Sequence, residues 1–90
     1  VFNYRVLMNL SEPMVWRESA WQLFDRVLDW AEKNCVYVIF DMHGCPGGQA
    51  FGFIYDPNWP LVWDAPDRQN MTIAIWQAIA RRYANRTVVA

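Results

Sequence analysis

The chain has 90 residues, which allows a single domain, so we treat residues 1–90 as one unit. Its hydrophobic fraction of 54% and its six Trp exceed what so small a core readily buries. We therefore expect either a large partner surface or aromatic side chains kept exposed for a ligand. The net charge of −1 offers no basic stripe for phosphates, and no apolar run approaches the ~20 residues of a membrane span. The sequence thus predicts neither a nucleic-acid partner nor a membrane partner.

Residues 1–10 are typical of the end of a strand that passes into a loop, which Pro13 then interrupts. A helix is predicted to begin at Glu18 or Ser19 and to continue to Asn34, which is expected to be its left-handed cap. Asp29 and Lys33 are spaced as a helical ion pair on the polar side. The apolar stripe consists of residues at helical spacing: Leu23, Phe24, Val27, Leu28, Trp30 and Ala31.

The central segment is Cys35–Gly48, CVYVIFDMHGCPGG. Its apolar run predicts a strand over residues 36–42 that is covered on both faces, as in a parallel sheet. Asp41 and His43 stand where this strand ends, and in α/β folds ligands bind at the carboxyl ends of strands. The following glycines are interpreted as turn residues.

A long loop follows, from Gly44 to about Trp63, and its aromatic content argues against disorder. A second helix is predicted from about Asp67 to Asn85, with Asp64 as its cap and Asn85 as its left-handed end. Its core face contains Met71, Ile75 and Ile79, with Thr72, Trp76, Ala80 and Tyr83 alongside. Thr87–Ala90 begins another strand. The βαβα order predicts an α/β fold with a parallel sheet and only one complete strand.

Cys35 and Cys45 lie at opposite ends of the predicted strand. Ten residues at ~3.3 Å each exceed the ~7 Å that a disulfide permits between Cα atoms. We therefore expect free thiols, which favour a reducing compartment such as the cytoplasm, while a bridge between two chains stays open.

The quoted segments resemble the glycoside hydrolase family 5 (cellulase-like) enzymes, which are (β/α)8 barrels. Phe2–Arg5 resembles the segment after the second barrel strand, and residues 23–31 resemble the second helix. The stretch YVIFDMHGCPGGQ, residues 37–49, resembles the third strand and its loop, and the helix that follows resembles the approach to the fourth strand. Cys35 and Cys45 stand where the family typically has small residues. The resemblance implies a partial barrel, and because members of this family are often secreted, it leaves the location open.

The family places a catalytic Glu in an Asn-Glu pair that ends the fourth strand and a second Glu at the end of the seventh. Retaining glycosidases need two carboxyl groups ~5–5.5 Å apart, and no Asp or Glu of this chain matches either position. A full barrel needs about 250 residues, so the chain resembles an internal slice of the enzyme. We therefore predict that a single copy does not hydrolyse β-1,4-glucans by the family mechanism, and we predict no cofactor.

His43 matches the family's His at the substrate cleft, so the resemblance implies a catalytic role for His43 around the −1 sugar or the acid/base machinery. A purely structural role at the strand end is the alternative. Asp41 is expected to anchor neighbouring strands. Asp41, His43 and Cys45 alternate along the chain, which leaves two further alternatives: a three-ligand metal site and a Cys45–His43 nucleophile pair.

The substrate-binding candidates are His43, Trp59, Trp63, Tyr55, Asn3 and Arg5. The loop aromatics, Phe51 and Phe53 included, are suited to stacking on sugar rings or to packing over the loop face. Trp21, Trp30 and Trp76 lie on predicted helices and are assigned to the core or to an interface.

Two hypotheses follow. In the first, the chain is a segment of a family 5-type β-glucan hydrolase that carries part of the cleft for a polysaccharide or oligosaccharide. In the second, it is a homo-oligomer in which strand edges pair between copies and form a composite site that binds sugar or a metal.

Overall fold

The computed structural model describes residues 1–90, which form a small α/β domain with two parallel strands and two helices. Strand β1 is Phe2–Asn3, helix α1 is Glu18–Lys33, strand β2 is Met42–Gly44 and helix α2 is Pro66–Tyr83. Short 3-10 turns cover Tyr4–Val6, Phe53–Tyr55 and Val62–Asp64. The two helices that the sequence predicts are confirmed.

The sheet is parallel, as predicted, and its two strands pair at their carboxyl ends. Phe2 lies opposite Met42 and Asn3 lies opposite Gly44, with an irregular register between the two pairs. An isolated parallel bridge joins Val38 to Val89. The chain segments at both ends of the domain therefore flank the central segment on opposite sides.

The predicted strand over residues 36–42 is shorter in the structure and lies further along the chain. Only Met42–Gly44 forms a ladder, because β1 has two residues and Val89 offers a single bridge. The prediction that both faces are covered is also wrong. Val38 and Phe40 pack against the core, whereas Tyr37 and Ile39 on the other face are 78% and 72% exposed.

The core lies between the two helices and the covered face of the sheet. Its fully buried side chains include Leu28 of α1 and Ile75 of α2. The turn after β1 contributes Tyr4, Leu7 and Met8, which are also buried. Several aromatic side chains pack together over β1 and β2. Among them, Phe40 stacks on Tyr83 with ring centroids 5.4 Å apart.

Helix α1 has buried and exposed apolar residues on different faces. Ala20, Trp21, Leu28 and Ala31 are buried, while Leu23, Val27 and Trp30 remain between 37% and 58% exposed. The predicted apolar stripe is thus wider than the face that this chain covers.

The residue that ends α1 in the left-handed conformation is Cys35, with φ of 55°. Asn34 has φ of −104°, and its Nδ2 donates a hydrogen bond to the Trp30 carbonyl at 2.7 Å. The predicted left-handed cap is therefore displaced by one residue. Asn85 is not among the residues with positive φ, so its predicted capping role is also wrong.

Helix α2 begins at Pro66, a residue suited to the first helical position. Its N-cap is Ala65, which makes no side-chain capping bond, while Asp64 belongs to the preceding 3-10 turn. The predicted cap at Asp64 is wrong. Neither α1 nor α2 combines the length and the hydrophobicity that a membrane-spanning helix requires.

Ion pairs join the two helices on the surface. Arg82 binds Asp25, and Arg86 binds both Asp29 and Glu32 at 2.8 and 2.6 Å. Asp29 therefore pairs across to Arg86, and the predicted pair with Lys33 is absent. The basic residues near the end of α2 are thus partners of α1 carboxylates.

Candidate functional site

The candidate site lies at the carboxyl end of the β1–β2 pair. His43 belongs to β2, and Asn3 belongs to β1 directly beside it. Because parallel strands end at the same edge of a sheet, side chains from both strands meet there. This edge is where the sequence predicts a ligand site.

His43 forms the centre of the site. Its Nδ1 lies 3.1 Å from Oδ1 of Asp41, two residues earlier on the same face of the chain. On its other side the Tyr55 ring lies nearly parallel to the imidazole, with an interplanar angle of 6° and centroids 6.4 Å apart. The His43 and Asp41 side chains are 41% and 49% exposed, so both are open to solvent.

Asn3 and Arg5 connect this edge to the loop that carries Tyr55. The Asn3 side-chain oxygen accepts a hydrogen bond from the Arg5 backbone N–H at 2.9 Å. The Arg5 guanidinium forms an ion pair with Asp56, and this hydrogen bond raises the pKa of Arg5. Four of the predicted substrate-binding residues are therefore brought together: Asn3, Arg5, His43 and Tyr55.

Gly44 permits the close approach of Asn3. A Cβ at Gly44 would lie 2.2 Å from the Asn3 side-chain nitrogen, so any larger residue would push that amide away from the strand end. The glycine after His43 thus lets the Asn3 side chain lie against β2.

The turn after β2 holds the long loop in place. Gly47 and Gly48 have φ of 86° and 79°, a conformation that favours glycine. A Cβ would lie 2.7 Å from the Pro60 carbonyl at Gly47 and 2.8 Å from the Pro57 Cα at Gly48. Both glycines are needed because the loop backbone passes directly over them.

Gln49 braces this turn and was not singled out by the sequence reasoning. Its side chain accepts a hydrogen bond from the Cys45 backbone at 3.1 Å and donates one to the Met42 carbonyl at 3.2 Å. Its own carbonyl accepts a bond from Nε1 of Trp63 at 2.6 Å. The signal was present in the motif PGGQ, whose last residue follows two turn glycines.

The aromatic side chains of the loop are exposed. The exposed fractions are 69% for Phe51, 93% for Phe53, 65% for Trp59 and 68% for Trp63. Phe51 and Trp59 contact each other with centroids 5.7 Å apart, and no ring contact joins either Trp to His43. The structure therefore brings Tyr55 to His43 but leaves the two Trp further along the loop.

Trp63 also borders a groove of about 460 Å³ between the turn and α2. Cys45 lies in the wall of this groove, and burial raises the pKa of its thiol. The same wall includes Trp76, which is 38% exposed, whereas Trp21 is buried and Trp30 is 58% exposed. Only Trp21 among the helical Trp is thus a core residue of this chain.

The structure brings no three metal-ligating side chains together. No group of three or more His, Cys, Asp or Glu lies close enough to hold a metal ion. Asp41 and His43 are in contact, but the Cys45 side chain is buried on the groove side. Both cysteines are free, as predicted, with Cys35 exposed and Cys45 buried.

The comparisons with known proteins lead to glycoside hydrolases. The chain is 31% identical over 99% of its length to a beta-xylosidase of Phanerodontia chrysosporium. It is 38% identical over 72% of its length to a glucan 1,3-beta-glucosidase of Blumeria graminis, and 26% identical over 93% to endoglucanase C of Acetivibrio thermocellus. No family model matches the chain.

The chain spans about a fifth of the length of these relatives, with shares of 19%, 15% and 23%. The homologues are thus glycoside hydrolases at modest identity, matched over a short region.

Proposed function

We propose that residues 1–90 form part of the substrate cleft of a β-glucan-degrading glycoside hydrolase of family 5, with the fold of a partial (β/α)8 barrel. The similarity to glycoside hydrolases supports the enzyme class, and the parallel strands flanked by helices are compatible with part of a barrel. In this proposal the two catalytic Glu of the family mechanism lie outside residues 1–90.

One observation carries the proposal. His43 and Tyr55 present parallel rings at the carboxyl end of the strands, Asn3 lies on the neighbouring strand, and the Arg5 guanidinium is paired with Asp56, the residue after Tyr55. Sugar rings are recognised by aromatic planes together with polar groups that bond hydroxyls, and this edge offers both. The exposed Trp59 and Trp63 extend the aromatic surface along the loop.

The roles of the individual residues follow from their positions. His43 offers a ring nitrogen to a sugar hydroxyl, and the parallel ring of Tyr55 offers a second planar surface beside it. Arg5 is held by Asp56 and so offers its remaining N–H groups from a fixed place. Trp59 and Trp63 are assigned to stacking on further sugar units.

The test is oligosaccharide binding by the 90-residue chain, followed by ¹H–¹⁵N NMR. Cellotetraose and laminaritetraose serve as β-glucan probes, with xylotetraose as the competing class. We expect a glucan probe to shift the signals of His43, Tyr55 and the loop indoles. Trp59→Ala should weaken binding about tenfold, a loss of about 1.4 kcal/mol.

Trp30→Ala is the matched control, because Trp30 has a similar exposure but lies on helix α1. The proposal is overturned if no glucan probe shifts the His43 and Tyr55 signals, or if Trp30→Ala weakens binding as much as Trp59→Ala. Preferential binding of xylotetraose would replace β-glucan by xylan as the substrate class.

A second candidate function is self-assembly through the open face of the sheet. Tyr37 and Ile39 present an apolar surface there with 78% and 72% exposure, and the segments beside them end in unpaired strand edges. Light scattering should show a discrete oligomer that Ile39→Lys reduces to a monomer. Val15→Lys is the control, since Val15 is also 60% exposed but belongs to the segment before helix α1. A monomeric unaltered chain would exclude this candidate.

A further inference from the structure

We propose that Asp41 is a positioning residue for His43, which fixes both the tautomer and the direction of the imidazole. The inference rests on the proposed function for its purpose, because an oriented imidazole matters where a sugar hydroxyl is bound. Which ring nitrogen of His43 carries the proton can be measured without any sugar.

The two side chains form a pair with no other hydrogen-bond partner. His43 Nδ1 lies 3.1 Å from Asp41 Oδ1, and this is the only hydrogen bond that either side chain makes. Asp41 was expected to anchor neighbouring strands. In the structure its backbone carbonyl does so by accepting a bond from the Phe2 N–H at 2.8 Å, which leaves the carboxylate for His43.

The backbone explains why these two side chains meet. Successive side chains along an extended chain point to opposite faces, so residues 41 and 43 share a face while Met42 points into the core. The bond from the Phe2 N–H to the Asp41 carbonyl and the pairing of β2 with the same strand, β1, hold this segment in place. The carboxylate therefore sits beside the near nitrogen of the ring.

The chemistry of the pair determines the tautomer. An ionised carboxylate only accepts hydrogen bonds, so Nδ1 must carry the proton that it donates to Asp41. In the neutral imidazole this leaves Nε2 with a free lone pair. The ring then presents an acceptor to a ligand, beside the parallel ring of Tyr55.

The tautomer can be read directly from ¹⁵N chemical shifts of the His43 ring, in mildly alkaline buffer where imidazoles are ordinarily neutral. His43 is the single His of the chain, so its signals need no assignment by mutation. We expect the Nδ1–H form to dominate in the unaltered chain. Dominance of the Nε2–H form would overturn the proposal without any variant being made.

Three variants separate positioning from a general structural effect. Asp41→Ala should shift the ring toward the Nε2–H form, whereas Asp41→Glu should keep the Nδ1–H form because its carboxylate still only accepts. Asp64→Ala removes an exposed carboxylate elsewhere and should leave the ring unchanged. An unchanged tautomer in Asp41→Ala would overturn the proposal, as would a change in Asp64→Ala of the same size.

Sugar binding distinguishes this inference from the proposed function. Asp41→Ala should weaken glucan-oligosaccharide binding about fivefold, the effect of one net hydrogen bond, and Asp41→Glu, which keeps a carboxylate acceptor, should rescue most of it. A correct tautomer in a chain that binds no oligosaccharide would overturn the proposed function while supporting the role of Asp41. Intact binding in Asp41→Ala with an altered tautomer would support the role of Asp41 and would overturn the assignment of His43 as the acceptor for a sugar hydroxyl.

Discussion

Arg82 on α2 donates two hydrogen bonds to the carboxylate of Asp25 on α1, with nitrogen–oxygen distances of 3.1 and 2.6 Å. The hydroxyl of Tyr83 donates a third bond to the same carboxylate at 2.8 Å. The bonds from Arg82, with a further one from Tyr83, lower the pKa of Asp25 below its ordinary value. A two-pronged contact of this kind fixes the relative rotation of the helices more firmly than a single ion pair.

The Asp25 contact predicts a pH-dependent stability. Because the pKa of Asp25 is lower in the folded than in the unfolded chain, its contribution is present above about pH 4 and is lost as the pH falls through the folded value. Asp25→Asn should lower the free energy of unfolding by about 0.5–1 kcal/mol near pH 7, since the pair is part-exposed. Urea unfolding between about pH 2 and pH 7 measures this, and the difference from the unaltered chain should vanish at the acid end. Asp64→Asn, an exposed carboxylate outside any ion pair, is the control; a pH-independent gap for Asp25→Asn would contradict the prediction.

The side-chain amide of Gln49 is expected to contribute strongly to the stability of the fold. Gln49→Ala leaves the Cys45 N–H and the Met42 carbonyl without their partner and should cost about 1–3 kcal/mol of stability. Gln49→Glu keeps the acceptor for Cys45 but places a carboxylate against the Met42 carbonyl, so it should destabilise as well. Gln22→Ala on the exposed side of α1 should stay within about 0.5 kcal/mol. Equal midpoints of urea unfolding for Gln49→Ala and Gln22→Ala would show that the brace is dispensable.

Replacing Cys35 by glycine is expected to stabilise the fold. Its φ of 55° places an L-residue in the left-handed region, which costs roughly 1 kcal/mol relative to glycine. Cys35→Gly should therefore raise the free energy of unfolding by up to about 0.5 kcal/mol, after allowance for the looser unfolded chain. Cys35→Val should lower it, because a β-branched residue fits this region poorly, and Cys35→Ser should leave it nearly unchanged. Thermal unfolding of the three variants measures the order, and a destabilised Cys35→Gly would refute it.

The two thiols are expected to react with a thiol reagent at different rates. Cys35 is exposed, whereas Cys45 is 5% exposed and burial raises the pKa of its thiol, which lowers its thiolate fraction. Ellman's reagent at about pH 8 should show one fast and one slow thiol in the folded chain. Cys35→Ser should remove the fast phase, and urea should make the remaining thiol fast. Two equal rates in the folded chain would show that the groove admits the reagent to Cys45.

Sequence reasoning located both helices within a few residues, because their periodicity depends only on local spacing. It missed the helix ends by one or two residues, since the left-handed position at Cys35 reflects backbone geometry that residue type alone did not indicate. The strand predicted over residues 36–42 was too long. An apolar run indicates that a segment tends to pair in a sheet, but it does not indicate how long the neighbouring strands are. Val38 forms a single bridge, to Val89, and the side chains of Tyr37 and Ile39 remain exposed.

Part of the candidate site was also predictable, because it depends on local spacing along the chain. The face shared by Asp41 and His43 follows from strand alternation, and the sequence reasoning placed both residues at the strand end. The contact of Tyr55 with His43 depends on how the loop folds back over Gly47 and Gly48, which no local pattern encodes. Gln49 was missed because its role depends on two backbone groups that only the folded turn brings within reach.

The loop above the turn glycines has one further consequence, for engineering. Its return is fastened by two backbone bonds, from the Asn58 N–H to the Gly47 carbonyl at 3.0 Å and from the Val62 N–H to the Gly48 carbonyl at 3.1 Å. The tip at Phe51–Phe53 is exposed between these anchors, and closing a longer loop costs only a logarithmic amount of entropy. The tip is therefore a natural insertion point, where a grafted peptide can change what the surface recognises while the anchored base keeps its geometry.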